Sequence, residues 1–264
     1  EYQIEAEIII DHALKIPPEK LYANLTAECS PQDYQNILEI LQKRKLGIPL
    51  PYITKKCYFF ERIFHINPGV FIPRPETELI IERCIENETN RLDKPLSLID
   101  IGTGSGIIAI SLKLLFPSFS VDAIDISEEA LDLTKTNIKL HNLEGEINVI
   151  NKDFRKISSK RYDLIVANLP YIPTKRLKYL PPEVRLEPRS AIDGGSKGIK
   201  LIENLIKLLP QIINDQESKA LLEIDNTQSK LVKNIIYSYL KSPKIKLFKD
   251  LAGNNRLVEI NEII

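Results

Sequence analysis

The sequence predicts an α/β fold: a seven-stranded, mostly parallel sheet with helices on both faces, preceded by a small helical unit and a hairpin linker. Three observations predict it. From residue 97 onward, short apolar runs suited to strands alternate with amphipathic stretches suited to helices, as in strand–helix–strand units. The first of those runs, "SLIDI", flows directly into the glycine cluster "GTGSG", which suits a tight turn between strand and helix. The last two runs are separated only by "KDLAGNN", too short for a crossover helix, so the final strand is expected to be antiparallel.

In chain order, residues 1–47 read as helices. "AEIIIDHAL" spaces its apolar residues at a helical period. "SPQDYQNILEILQKRKLG" opens on Ser30 as N-cap with Pro31 at the first helical position, and stops at Gly47. This unit, bounded at 1–50, is either a cap on the larger domain or a surface for a partner. Next, "CYFF" and "IFHI" flank Glu61 and Arg62 as two short β-type runs, a hairpin within a linker spanning 51–75. Pro68, Pro73 and Pro75 stiffen the passage out of it. A helix follows over 77–88. In the large domain, 76–264, the strands are "SLIDI", "VDAID", "EINVI", "YDLIVA", "ALLEI", "IKLF" and "RLVEI", with helices at about 106–116, 127–141, 198–213 and 226–240. No internal repeat or low-complexity segment interrupts the pattern.

Composition narrows the function classes. With 36 basic and 36 acidic residues the formal charge is +0, which argues against coating nucleic acid through bulk electrostatics. The three cysteines, Cys29, Cys57 and Cys84, show no C-x-x-C spacing, so neither a disulfide framework nor a zinc knuckle is expected, and a cytoplasmic setting fits. Three scattered histidines, His12, His65 and His141, disfavour a histidine metal site. The opening "EYQIEAEIII" carries three acids where a secretory signal has a basic region. The most apolar window, "SLIDIGTGSGIIAISLKLLF", holds Asp100, Lys113 and three glycines; it reads as strand, turn and helix, and no membrane span is expected. The chain has no methionine, so the initiator and some N-terminal residues are expected to be missing. A monomer is expected.

The glycine cluster is the first candidate site. Gly102, Thr103, Gly104, Ser105 and Gly106 follow a strand, where glycines admit unusual dihedrals and close approach of a ligand. The dinucleotide fingerprint would place its third glycine at 107, where Ile107 stands, which weakens a pyrophosphate-binding reading. Asp125 ends the second strand about 20 residues further on, where an acid binds the two hydroxyls of a ribose. After the third strand, "NKDF" sets Asp153 and Phe154 at the same carboxyl edge, an acid and an aromatic suited to the amino group and face of an adenine. Each feature alone has a plainer reading, as a tight turn, a helix cap or a core aromatic; together they converge on one sheet edge. An adenosine cofactor without a pyrophosphate fits them: S-adenosylmethionine, whose sulfonium already activates the methyl group.

A second candidate closes the fourth strand. "NLPY", residues 168–171, ends an apolar run on an amide, a proline and a tyrosine. It approaches the N-P-P-Y type tetrapeptide of amino-group methyltransferases, with Leu169 for the first proline. A planar NH₂ group is a poor nucleophile because its lone pair is delocalised. Asn168 can accept one N–H through its side-chain oxygen and the Leu169 carbonyl can accept the other, which orients the nitrogen for attack. Pro170 fixes φ and has no N–H, and Tyr171 can lie against the planar group. The second acceptor is backbone, so Leu169 costs stiffness and leaves the acceptor in place. No general base is expected; orientation and electrostatics carry the step.

With these motifs in order, the chain resembles the release factor glutamine methyltransferases (the PrmC/HemK family), class I S-adenosylmethionine-dependent enzymes with a Rossmann-like fold, over nearly its whole length. "NPGVFIPRPETE" resembles the family's linker signature, "LIDIGTGSGIIAISL" its cofactor loop and "NLPYIP" its acceptor motif. "LEPRSAIDGGSKG" resembles the stretch that follows, and "ALLEI" with "DLAGNNRLVEI" the closing strands. The resemblance implies methyl transfer from S-adenosylmethionine to the side-chain amide of the glutamine in the Gly-Gly-Gln motif of peptide chain release factors, leaving S-adenosylhomocysteine. It implies that Gly102 through Gly106 and Asp125 hold the cofactor and that Phe154 lies beside the adenine. It implies that Asn168, Leu169, Pro170 and Tyr171 bind substrate, with Asn168 also touching cofactor. Arg74 and Glu76, in "PRPETE", are implied in the cofactor pocket, with Asp100 and Asp153 as further candidates. There are three departures: Leu169 for proline, Asp225 where "LLEI" is usually followed by glycine, and no counterpart of the family's first helix.

A nucleic-acid adenine methyltransferase is the main alternative, since an adenine amino group poses the same planar problem and flipped bases enter such sites. "TKRLKYLPPEVRLEPR" would then offer Lys175, Arg176, Lys178, Arg185 and Arg189 to phosphates; against it stand the zero net charge and the linker signature. A cofactor- or partner-binding module inactivated at Leu169 is a non-enzyme alternative. A nicotinamide-dependent dehydrogenase is disfavoured by Ile107.

Overall fold

Two helices, α1 (Tyr2–Leu14) and α2 (Pro31–Lys45), open the chain in a computed structural model that describes residues 2–15, 29–88, 94–157 and 160–264. α2 starts as its sequence requires: Ser30 is extended, its hydroxyl accepts the Asp33 N–H at 3.1 Å, and Pro31 occupies the first turn, where no N–H is needed. Lys43, Arg44 and Lys45 fill its last turn, against the negative end of the helix dipole. The stretch expected to begin the linker is instead a helical turn, α3 (Leu50–Thr54), because Pro49 and Pro51 pre-set the entry of a helix as readily as they break one. Ile9, Ala13, Ile40 and Leu50, from the three helices, form an apolar cluster of their own.

β1 (Lys56–Phe59) and β2 (Arg62–His65) pair antiparallel, with Lys56 opposite His65 and Phe59 opposite Arg62. Phe60 and Glu61 between them have φ of 46° and 61°, the double positive turn that two-residue hairpins use. A 3₁₀ turn (Pro75–Thr77) then leads into α4 (Glu78–Glu88).

The large sheet contains β3 (Ser97–Ile101), β4 (Ser120–Asp125), β5 (Ile147–Asn151), β6 (Leu164–Ala167), β7 (Lys219–Glu223), β8 (Lys244–Lys249) and β9 (Asn255–Asn261). Helices α5 (Ile107–Leu115), α6 (Glu128–Leu140), α7 (Arg189–Ile192), α8 (Lys200–Ile212) and α9 (Ser229–Tyr239) connect them. The order is β5-β4-β3-β6-β7-β9-β8. The pairs β3–β4, β3–β6, β4–β5 and β6–β7 are parallel, while β9 runs antiparallel to both β7 and β8 and lies between them. β6 is shorter than the apolar run "YDLIVA" suggests. Tyr162 stands outside it, bridged to Ile213, with its hydroxyl donated to buried Asp122 at 2.6 Å.

β3 and β6 are central and covered on both faces, which is why they read as unbroken apolar runs. α4, α5, α6 and the hairpin cover one face around Ile80, Leu98, Ile110 and Phe64. α8 and α9 cover the other around Ile99, Ile165, Leu205 and Ile236. The chain travels outward from β3 to β5, then returns to place β6 on the other side of β3. That reversal leaves a crevice at the carboxyl ends of β3 and β6, where ligands bind in such sheets. Among the described residues, no helix is long and apolar enough to cross a membrane.

Candidate active site

Beyond β3 the chain turns through Gly102, Gly104 and Gly106, with φ of 74°, 59° and 79°. At Gly106 a Cβ would lie 2.8 Å from Thr134 Cγ2, so glycine is needed there for space as well as for φ. The loop is held from three sides. Asp100, near the end of β3, accepts the Thr103 hydroxyl at 2.6 Å and the Ala109 N–H at 3.3 Å through one carboxylate oxygen. Asp125, at the end of β4, accepts the Gly104 N–H at 2.9 Å with one oxygen and the Ser127 N–H at 3.0 Å with the other. From α6, Thr134 donates to the Gly104 carbonyl at 2.9 Å and Asn137 to the Ser105 carbonyl at 2.8 Å. Asn137 also accepts the His65 N–H at 2.7 Å and donates to the His65 carbonyl at 3.1 Å, which ties the hairpin to the loop.

Residues 102–105 of the loop, with Asp125 and Ser127, border a cavity of about 400 Å³, a size typical of small-molecule sites. Its wall brings together the ends of four strands: Gly102 to Ser105, Asp125, Asp153 with Phe154, and Asn168 to Tyr171, with Arg74 on the linker side. Phe154 is 8% exposed and belongs to the core cluster as well as to the wall.

Three expected residues stand outside that wall. Gly106 lies behind the loop as the N-cap of α5. Asp100 is fully buried because its side chain turns back into the loop; burial pushes it up to about 7, and its second oxygen has no partner among the described residues. Glu76 is half-buried on the 3₁₀ turn, where each residue advances about a third of a turn, so that Thr77 faces the wall and Glu76 does not. Asp153 does line the cavity, but its carboxylate is engaged. It accepts the Arg155 N–H at 3.0 Å and pairs with the Arg155 guanidinium, which holds it below the usual carboxylate range. It is thus less available to an adenine amino group than its position in the sequence suggests.

At the end of β6, Asn168 donates its Nδ2 to Thr77 Oγ1 at 3.0 Å. Its Oδ1 accepts from no described residue, and no described donor takes the Leu169 carbonyl. The Leu169 side chain is buried against the glycine loop: a Cβ at Gly102 would lie 3.0 Å from Leu169 Cδ2. The Tyr171 hydroxyl donates to Glu223 Oε1 at 3.0 Å, and Thr77 donates to Glu223 Oε2 at 2.8 Å. Burial pushes Glu223 up to about 7 and raises the Tyr171 phenol above its ordinary range.

Residues that the sequence reading did not single out hold this peptide in place. Glu223 closes β7, beside β6; the signal for it is an acid ending the otherwise apolar "ALLE". Gln228 donates its Nε2 to the Tyr171 carbonyl at 2.7 Å and to the Gly198 carbonyl at 3.1 Å. The "DGGSKG" loop backs the peptide closely. A Cβ at Gly194 would lie 2.6 Å from the Pro170 carbonyl oxygen, and one at Gly198, where φ is 72°, would overlap that of Tyr171. Between these parts, residues 174–192 roof the cavity through Leu180, Val184 and Pro188. The roof is fastened to the helical unit and the linker: Arg44 of α2 reaches Glu183 at 3.2 Å, and buried Glu187 accepts the Ile72 N–H at 3.1 Å and pairs with Arg74. Arg176 pairs with Asp225 and Arg189 with Asp193, so two of the five cations in this stretch are matched locally.

The PrmC N-terminal domain model matches residues 1–54, and the ribosomal protein L11 methyltransferase (PrmA) model matches residues 77–180. A release factor glutamine methyltransferase of Aquifex aeolicus (strain VF5) is 33% identical over 98% of this chain and 90% of its own length. One from Bacillus subtilis (strain 168) is 31% identical over 96% of this chain and 89% of its own. The chain belongs to the release factor glutamine methyltransferase family. Solved structures place this family member in its fold. A ribosomal protein L11 methylase from Lactobacillus delbrueckii subsp. bulgaricus superposes with a TM-score of 0.55 at 22% identity, covering 79% of this chain and 90% of that one. A methyltransferase from Pyrococcus furiosus gives 0.56 at 19%, covering 85% and 98%. The fold is that of Rossmann-like methyltransferases. Of the departures from the family pattern, Leu169 packs on the glycine loop, and Asp225 caps the 3₁₀ turn before α9, accepting the Thr227 N–H at 2.9 Å.

Proposed function

We propose that this chain transfers a methyl group from S-adenosylmethionine to the side-chain amide nitrogen of the glutamine in the Gly-Gly-Gln motif of peptide chain release factors. One observation carries the reading: two acceptors without a described donor, Asn168 Oδ1 and the Leu169 carbonyl, belong to adjacent residues that line the cavity together with the glycine loop. The names of the relatives supply the substrate class.

The residues fit the cofactor. Each Asp125 oxygen spends one lone pair on a backbone N–H and keeps another for a ribose hydroxyl. Phe154 offers an aromatic wall to the adenine, and the glycine turn lets a ligand approach the backbone. When bound, S-adenosylmethionine supplies an electrophilic methyl group on a positively charged sulfur. The chain's own residues act by placement. Asn168 Oδ1 and the Leu169 carbonyl each accept one N–H of a carboxamide, which fixes the nitrogen and draws electron density onto it. Pro170 offers no competing N–H. The 174–192 roof limits the access of water. Both oxygens of Glu223 accept hydroxyls, from Thr77 and Tyr171, so this carboxylate serves the acceptor peptide and is not poised to abstract a proton.

The test is to incubate a purified release factor with the chain and isotopically labelled cofactor, then locate the label by mass spectrometry. The reading expects one methyl group on the Gly-Gly-Gln glutamine. Label found only in nucleic acid would reject it, and cofactor binding without any transfer would identify an inactive module.

A further inference from the structure

Behind the acceptor peptide, Thr77 and Glu223 are 2% and 1% exposed, and the reading above gives them no task. They join Asn168 and Tyr171 in one hydrogen-bonded chain: Asn168 Nδ2 to Thr77 Oγ1 at 3.0 Å, Thr77 Oγ1 to Glu223 Oε2 at 2.8 Å, and the Tyr171 hydroxyl to Glu223 Oε1 at 3.0 Å. Chemistry sets the direction of each bond. An ionised carboxylate only accepts, so Thr77 and Tyr171 donate to it. The Thr77 hydroxyl has a single hydrogen, already committed, and toward Asn168 it can only accept. Asn168 must then turn its NH₂ to Thr77, which leaves its oxygen outside that bond and available to a substrate in the cavity that Asn168 lines. With the amide rotated by half a turn, the cavity would meet two N–H donors, which oppose the N–H groups of a substrate carboxamide.

We propose that Thr77 and Glu223 are positioning residues that hold the Asn168 amide with its oxygen toward the substrate, the same carboxylate fixing Tyr171. The proposal rests on the methyl-transfer reading, which needs an acceptor at Asn168 Oδ1. The three elements that meet here, the 3₁₀ turn and the ends of β6 and β7, come from distant parts of the chain. Burying a carboxylate without a cation in direct contact is costly; Arg256 on neighbouring β9 pairs with Asp250 and attracts Glu223 only at longer range, so the hydrogen bonds to Glu223 come from the two hydroxyls. A fold that keeps such a group has a use for its two lone-pair directions.

The experiment compares the full-length protein with Thr77→Val, which removes the hydroxyl at constant shape, and Thr77→Ser, which keeps it. Assays at about pH 8 keep Glu223 ionised. Thr77→Val should lower kcat on a release factor roughly 10- to 100-fold with the affinity for S-adenosylhomocysteine little changed; the thermal midpoint should fall as well, because buried Glu223 loses a donor, and Thr77→Ser should restore most of both. In an Asn168→Ala background Thr77→Val should cost nothing further, because the group it orients is gone. A second readout needs no substrate. In ¹⁵N spectra the Asn168 side-chain NH₂, assigned by its absence in Asn168→Ala, should exchange slowly with solvent in the wild type and rapidly in Thr77→Val. Full turnover in Thr77→Val, multiplying losses in the double variant, or a fast-exchanging Asn168 amide in the wild type would each overturn the proposal. A protected amide in a protein that methylates no release factor would uphold the hydrogen-bonded positioning and sink the methyl-transfer reading alone.

Discussion

Replacing Asp125 by asparagine separates the job its carboxylate performs for the loop from the one proposed for it toward a ribose. Both of its oxygens accept backbone N–H groups, from Gly104 at 2.9 Å and Ser127 at 3.0 Å. An asparagine has one acceptor and one donor end, so either backbone N–H would face an NH₂. Leaving such a donor unsatisfied costs about 1–3 kcal/mol, which should appear as a lower thermal midpoint without ligand. Toward the cofactor, the variant also loses one charge-assisted hydrogen bond to a ribose hydroxyl, worth about 1.5–3 kcal/mol. At about 1.4 kcal/mol per decade, the dissociation constant should rise roughly 10- to 150-fold. Calorimetry with S-adenosylhomocysteine, which cannot turn over, measures this directly, and Asp125→Ala should be weaker still. An analogue without ribose hydroxyls should bind wild type and Asp125→Asn nearly alike. Wild-type affinity for S-adenosylhomocysteine in Asp125→Asn, with only the midpoint lowered, would show that the carboxylate holds the loop and never touches a ribose.

Asn168→Ala should reduce single-turnover rates by about 100-fold or more through lost orientation while leaving cofactor affinity nearly intact; a matching loss of affinity would move Asn168 into the cofactor site. Wild-type turnover should fall as pH drops through about 7, where burial has pushed Glu223. The groups facing it are Thr77, Tyr171, Glu76 and Arg256, and once protonated it no longer obliges Thr77 to donate to it. A profile flat from about pH 6 to 8 would contradict this. Asp100 is also raised to about 7 by burial, so between about pH 4 and 7 the folded chain keeps a proton that the unfolded chain has released. Its contribution to stability is full at the acid end of that window and lost as pH rises through it. Wild type should therefore lose thermal stability relative to Asp100→Asn over those pH values, and parallel midpoint curves would refute the assignment.

The strand–helix alternation was readable because hydrophobic period is a local property, and the hairpin because Phe60 and Glu61 sit between two clear β-type runs. The glycine loop, Asp125 and Asn168 were readable for a related reason: each ends a recognisable strand, and a parallel sheet gathers such ends at one edge. What stayed hidden depends on distance or on phase. Thr77 and Glu223 meet across 146 residues, and Tyr171 meets Glu223 across 52; only the adjacency of β6 and β7 creates those contacts. Thr77 and Glu76 exchange roles because a 3₁₀ turn, rather than an α-helix, starts that segment. The position of Asp153 at the cavity is legible, but not its pairing, because Arg155, two residues on, folds back onto it. α3 was missed because prolines that usually end helices here begin one.

The loop at 194–198 that braces the acceptor peptide has a consequence for the timing of biosynthesis. Translation delivers β3, β4 and β5 first, with the glycine turn and Asp125 already in hand. Gly194 and Gly198 emerge later, and Glu223 later still. In a nascent chain at that stage the Asn168 amide has neither a brace nor a fixed direction. The brace and the direction of that amide are completed only by residues 194–228.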